Sequence, residues 1–507
     1  MTAEPVALRA PAGAPLHATV ALDGRTLTPA AVAAIAHGDA GVRLTGAARA
    51  RNAASRQALE AVIAAGTPVY GVTTGVGTLH DRPVAPANAS RHQRALLRSH
   101  ATGAGEPLAP ATVRAAMAVR LNQLGAGGGG ASDGLLDALA AALGADVIPV
   151  VRDVGSLGTG DLPELAAIGL LLLGEGDAWV QGRPVRARGA LRRAGLEPLV
   201  PGPRDGMALL SSNAVTIGRA ALAAVRARRL AGAALSVAAL SFEAIDADQA
   251  VLDARVHAAR PIPGQVAVAA RMRALLAGTP SPRRGPGVHD PLSFRSQPQV
   301  DGAVHDALDA LDRVLGVELN AAGENPLLVS APEPDVLASG NFHAVALMLA
   351  LDGLRGALAQ AATIVAARAS ALLDDRFSGL RGWLAGPGEA SSGAMAVEYT
   401  AHTAAAEVRL LAAPAAAQHT VVGAGMESHS SFAALSVRQT DRALDAYADA
   451  VATELVLAAR ALRLAGRPAG GEGTRALFDA AVAGLPAGLE DRPLADGIRR
   501  ARALLGG

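Results

Sequence analysis

The chain has 507 residues, half of them hydrophobic, with 46 basic against 45 acidic side chains, 2% aromatics and no cysteine. A near-zero balance with no basic stripe argues against nucleic acid as a partner, and the missing cysteine excludes disulfides, thiolate metal sites and a cysteine nucleophile. No run of about 18 uninterrupted apolar residues occurs, the best patch being residues 166–173, so a membrane span is not expected.

Residues 1–16 hold three prolines, one arginine and no apolar stretch before a cleavage site, so they do not read as a signal peptide, and the cytoplasm is the expected compartment. A hairpin is expected around Asp23-Gly24, then an amphipathic helix from Pro29 and a second helix over 48–65 that stops at Gly66-Thr67-Pro68. Residues 70–77, rich in Gly and Thr, read as a polar loop. Helical periodicity resumes near Ala89 and returns over 208–244, 300–315, 342–373, 394–411 and 432–464, with apolar residues at i, i+3, i+4 and i+7. Breaks rich in Pro and Gly fall at 195–205, 278–287 and 331–334. No fixed-period repeat appears, which argues against a solenoid.

The expected fold is therefore mainly α: a long up-down helical bundle with a small α/β N-terminal part. It is divided into a loop-and-helix part over 1–200 and a central and C-terminal helical part over 201–507. Alanine-rich helices pack closely and associate further, so a closed homo-oligomer is expected. The histidines show no ligand spacing on one helix face, and no metal is expected.

Four polar segments interrupt the helical pattern: Tyr70-Gly71-Val72-Thr73-Thr74-Gly75-Val76-Gly77, Gly155-Ser156-Leu157-Gly158-Thr159-Gly160-Asp161-Leu162, His289-Asp290-Pro291-Leu292-Ser293-Phe294-Arg295, and Glu318-Leu319-Asn320-Ala321-Ala322-Gly323-Glu324-Asn325-Pro326. Singly, each is an ordinary loop or cap. In this order and spacing, with Ser99-His100, Ser339-Gly340-Asn341-Phe342-His343 and Met426-Glu427-Ser428-His429, they resemble the aromatic amino acid ammonia-lyases and aminomutases, the family of histidine and phenylalanine ammonia-lyase. The resemblance covers roughly residues 18–465 and implies an ammonia-lyase-like fold. It also implies a homotetramer, and a carbon-nitrogen lyase or aminomutase acting on a histidine-like or other aromatic α-amino acid.

In that family an internal Ala-Ser-Gly cyclises and loses water to give a methylidene-imidazolone (MIO) that supplies the electrophile. Here the matching residues are Gly158-Thr159-Gly160, preceded by a segment one residue short. Elimination from threonine would leave a methyl on the exocyclic carbon, so the implied group is MIO or its methyl-substituted analogue. Ala131-Ser132-Asp133 looks similar but lacks the closing glycine. By the resemblance Tyr70 is the base on a glycine-flanked mobile loop, Glu427 lies near the substrate's ring or amine, and Arg295 holds its carboxylate through a planar fork. Ser99, His100, Ser211, Leu292 and Asn325 are implied substrate contacts. Departures are plain: Thr73 replaces an asparagine, Leu292 a tyrosine, Ser211 an asparagine and Glu398 a glutamine. Asn213, two positions beyond Ser211, faces elsewhere if this stretch is helical, and Ser-Ser-Asn also reads as a helix N-cap. The alternative reading is a homologue without the prosthetic group, using the same cavity for a different elimination, isomerisation or cyclisation.

Overall fold

The structure, a computed structural model, describes residues 18–280, 289–388, 390–484 and 488–506. The N-terminal residues 1–16 and most of the break at 278–287 lie outside them. The chain is mainly α-helical and forms two compact units, residues 1–222, 316–343 and 422–427 in one and 223–315, 344–421 and 428–507 in the other.

In the first unit, strand Thr19–Leu22 pairs with Gly41–Leu44 in parallel, with helix Pro29–His37 between them, so the expected hairpin is not formed. The reason is local: the Asp23 carboxylate accepts the backbone N–H groups of Arg25 and Thr26, at 2.8 and 2.9 Å, which turns the chain into the helix instead of back on itself. Helix Gly46–Ala64 packs on Pro110–Ala126, whose central residues are nearly all buried. Gly125 permits this approach, since a β-carbon there would sit 2.9 Å from that of Ala48. A three-stranded antiparallel sheet orders Ile148–Pro149, Asp177–Val180 and Arg183–Arg186. Leu59, Val62, Val69, Val72 and Leu328 form a small apolar cluster beneath the Tyr70 loop.

In the second unit, the helices Val345–Leu373, Met395–Leu411 and Ala433–Leu464 pack on one another, and Ala495–Leu504 lies on the last of them. Leu347, Leu351, Leu354, Leu358 and Val365 repeat at helical spacing and are fully buried, each such side chain contributing about 1.5–3 kcal/mol. Buried Arg355 ties the three helices together by donating to the Leu411 and Ser436 carbonyls at 2.9 and 2.8 Å, and pairs with Asp352 at 2.6 Å. The segments Asp205–Ala244 and Val345–Leu373 are long and apolar enough to cross a membrane, but 83% and 61% of their most apolar windows are buried, as in core helices.

One expected helix is broken. The pattern over 208–244 resolves into Asp205–Leu210 and Ala214–Ala244, with Ser211, Ser212 and Asn213 outside both. Asp161, more than fifty residues earlier, caps the second helix: its Oδ2 accepts the Thr216 N–H at 2.7 Å and its Oδ1 accepts the Thr216 hydroxyl at 2.8 Å.

Candidate active site

The Tyr70 loop is stitched to its surroundings. Thr73 Oγ1 accepts the Val69 N–H at 2.7 Å, the Gly75 N–H donates to the Arg82 carbonyl at 2.9 Å, and the Val84 N–H to the Thr73 carbonyl at 2.8 Å. Gly71, at φ 69°, lies against Met207, where a β-carbon would sit 2.9 Å from Sδ. The buried carboxamide of Gln93 holds the same approach, donating to the Gly71 carbonyl at 2.8 Å and accepting the Met207 N–H at 2.9 Å. Tyr70 is half-buried and its hydroxyl oxygen accepts the Gly77 N–H at 2.8 Å. The turn Gly77–Leu79 in turn lies against Gly423–Gly425. That second turn closes on itself through paired hydrogen bonds between Val422 and Glu427, at 3.0 and 3.2 Å.

Glu427 thereby reaches the divergent tripeptide, and the Thr159 hydroxyl donates to Glu427 Oε2 at 3.2 Å. Gly158 and Gly160 have φ of 84° and 113°, backbone that side-chain-bearing residues avoid. The Gly158 N–H donates to Ser156 Oγ at 3.2 Å, and the Gly160 N–H to Asn213 Oδ1 at 3.0 Å. Asn213 Nδ2 donates to the Phe342 carbonyl at 2.6 Å. The expectation that Asn213 faces elsewhere is therefore wrong: the backbone leaves the helix at 211–213, and the carboxamide turns to the tripeptide. The run Ser211-Ser212-Asn213 amid apolar residues was the available signal, read as a substrate contact at Ser211 or as a cap.

Ser211 is buried, and its Oγ accepts the Asn325 N–H at 2.8 Å. Asn325 Oδ1 accepts the Ser339 N–H at 3.1 Å. Beside it Glu324, fully buried, pairs with buried Arg120 at 2.9 Å. Ser99 and His100 end helix Ala89–His100, with His100 Nδ1 2.8 Å from the Leu96 carbonyl and 3.1 Å from Ser99 Oγ. Ala131-Ser132-Asp133 is a helix start, with Ser132 Oγ accepting the Leu135 N–H at 3.2 Å.

Thus the first unit brings Thr159, Glu427, Asn213 and the Gly158 and Gly160 backbone into one hydrogen-bonded group, with Ser211 and Asn325 bonded to each other. Leu292 and Arg295 belong to the second unit, both exposed on the short helix Leu292–Arg295. Glu398, also there, accepts the Ser370 hydroxyl, which lies 2.9 Å from His402 Nε2. Among the described residues no group of three or more His, Asp or Glu is placed to hold a metal ion.

Beneath the tripeptide lie two buried carboxyls. Asp161 is pushed up by burial and opposed by its hydrogen bonds from Thr216 and Ser156. Glu164 is pushed up to about 8 by burial and by the negative charge of Asp161. Neither was singled out in the sequence, where Asp161 stood only as part of the polar motif over 155–162.

The sequence matches the aromatic amino acid lyase model over residues 27–483. The chain belongs to the aromatic amino acid lyase family. This lyase is 39% identical over 459 residues to a histidine ammonia-lyase from Anaeromyxobacter sp. (strain K), covering 88% of this chain and 90% of that one. Its fold is similar to tyrosine aminomutase from Streptomyces globisporus, with a TM-score of 0.90, 31% identity and 96% of each chain covered. It is also similar to the ergothioneine-degrading enzyme ergothionase from Treponema denticola, with a TM-score of 0.91 and 28% identity over 96% of this chain and 98% of that one. The protein is a carbon-nitrogen lyase of the ammonia-lyase and aminomutase type, in a family whose chemistry depends on MIO.

The lyase's own tripeptide fits ring closure in backbone terms. Closure needs the Gly160 nitrogen to reach the Gly158 carbonyl carbon, and both flanking residues are glycines at positive φ. Thr159 retains the hydroxyl that must leave. Its extra methyl is the difference.

Proposed function

We propose that this lyase eliminates the amine from a histidine-like α-amino acid, with Gly158-Thr159-Gly160 as the source of a methyl-substituted MIO. The observation that carries this reading is the contact of the Thr159 hydroxyl with Glu427 at the glycine-flanked turn. Similarity to histidine ammonia-lyases supports the substrate class, as does the Ser99-His100 pair.

When formed, the ring supplies an electrophilic carbon for the substrate amine. Tyr70 takes the β-proton as general base; its hydroxyl oxygen already accepts one backbone N–H, which steadies the phenolate as it forms. Glu427 holds a proton at the departing nitrogen. Arg295, exposed and without a side-chain hydrogen-bond partner among the described residues, is the proposed holder of the substrate carboxylate. A homotetramer with four equivalent sites goes with this reading, and light scattering at micromolar concentration tests it: a monomeric mass would rule it out.

A second reading rests on one observation: the Gly160 N–H is held by Asn213 Oδ1, which commits the nitrogen that closure requires. In that reading the turn stays open and the substrate is a histidine-derived betaine such as ergothioneine. Its quaternary amine has no lone pair to add to an electrophile and leaves without one. Similarity to the ergothioneine-degrading enzyme supports this class.

Intact mass decides first. A mass lower by two waters, with amine release from L-histidine, supports the first reading. An unmodified mass, with trimethylamine release from ergothioneine and none from L-histidine, supports the second. Release from neither substrate overturns both.

A further inference from the structure

Glu164 stands on the first turn of helix Leu162–Leu172, directly beneath the Gly155–Gly160 turn, and is 4% exposed. Its Oε1 accepts the Ser156 N–H at 3.1 Å, while its Oε2 is buried without a hydrogen-bond partner. Neighbouring Asp161 is far better supplied: Ser156 Oγ and Thr216 Oγ1 donate to its Oδ1 at 2.7 and 2.8 Å, and the Thr216 N–H donates to its Oδ2 at 2.7 Å. A charge sits where donors converge, so Asp161 keeps the charge and Glu164 carries the proton. The other charged group acting on Glu164 is Asp153, on strand Arg152–Val154, whose carboxylate is bound by Arg219 at 2.6 Å. That cation is therefore already paired.

Ser156 is the hinge of this arrangement. Its N–H rests on Glu164, its hydroxyl on Asp161, and its Oγ receives the Gly158 N–H. Two carboxyls thus shape the segment that presents Thr159, one charged and one neutral.

We propose that Glu164 is a positioning residue that must be neutral to lock the Gly155–Gly160 turn, and that its ionisation releases Ser156 and with it Thr159. An ionised Glu164 would set an under-solvated negative charge beside Asp161, and the cost drives the carboxylate outward to water. The Ser156 N–H then loses its acceptor. The catalytic meaning of this lock rests on the reading of Thr159 given above, but the lock itself is a property of the fold.

Hydrogen exchange with mass spectrometry on the full-length protein, across about pH 6.5 to about pH 9.5, tests it without any substrate. After correction for the intrinsic rise in exchange with pH, the protection of Ser156 and Gly158 falls at least about tenfold between about pH 7 and about pH 9, because each pH unit multiplies the ratio of ionised to neutral form about tenfold. In Glu164→Gln, which copies the neutral acid, protection stays flat. Flat protection in the native protein, or the same loss in Glu164→Gln, overturns the proposal. Should Glu164→Gln not fold, the native profile decides alone. Failure to release amine from any substrate would sink the lyase reading and leave this result standing.

Discussion

Tyr447 and Tyr70 show how differently the two units use the same side chain. Tyr447 lies inside the second unit, 2% exposed, and burial together with Asp301 raises its pKa well above the ordinary phenol value. It cannot act as a base near neutrality. Tyr70 lies half-buried on a loop, its oxygen met by one backbone N–H and its ring beside glycines that permit the turn. The two glutamates repeat the contrast. Glu454 is fully buried, held by Arg368 at 2.6 and 2.9 Å and by the Ser241 hydroxyl at 2.7 Å, so both of its oxygens are engaged. Among the described residues the Glu427 carboxylate is hydrogen-bonded only by the Thr159 hydroxyl, which leaves it capacity for another partner. Saturated polar groups specify packing, whereas groups left with spare capacity do chemistry.

That contrast is broken most sharply by substitutions that remove one group from each side. Tyr70→Phe should lower the rate of amine release by about 10²- to 10⁴-fold, the usual cost of losing a general base, with an unchanged melting temperature. Near-normal turnover would show that the base lies elsewhere, with Glu427 the next candidate. Glu454→Ala should do the reverse, costing about 3–5 kcal/mol in denaturant unfolding because Arg368 is left buried and unpaired. An effect below about 1 kcal/mol would show that the pair does not support the bundle.

Asp301 offers a finer test. Buried near Arg368 and Glu454, it is pushed up to about 6, chiefly by burial. Its folded pKa exceeds its ordinary value of 3.8, so the stability gained from keeping it neutral is complete below about 3.8 and is lost as pH rises through about 6. Asp301→Asn should remove that slope and raise stability at pH 7 by up to about 3 kcal/mol, read from unfolding curves at about pH 4 and about pH 7. The smallest expected effect is that of Ser211→Ala, about 1 kcal/mol, since the Asn325 N–H loses its acceptor. A drop in turnover much larger than that stability loss would move Ser211 from scaffold to substrate contact.

Much of the second unit was legible from periodicity alone. The helices Val345–Leu373, Met395–Leu411 and Ala433–Leu464 begin and end within three residues of the apolar patterns that announce them, because burying an apolar stripe is a local demand repeated every turn. The polar motifs and their order also sufficed to reach the family. Where sequence reasoning failed, the deciding partner was near in one case and distant in the other. Asp23 turned an expected hairpin into a parallel pair, a short-range effect that the Asp23-Gly24 turn signal did not register. Asp161 caps the start of a helix more than fifty residues away, and Asn213, left outside that helix, reaches the Gly160 amide.

By itself, then, the sequence determined the helices, the glycine turns, the family and the residue types available for catalysis, since these follow from local backbone preference and side-chain chemistry. Tertiary structure alone decided which carboxyl meets Thr159, which amide Asn213 holds, and which of Asp161 and Glu164 carries a proton. Those outcomes depend on burial and on donors supplied by other segments, and neither is written in the spacing of a single stretch of chain.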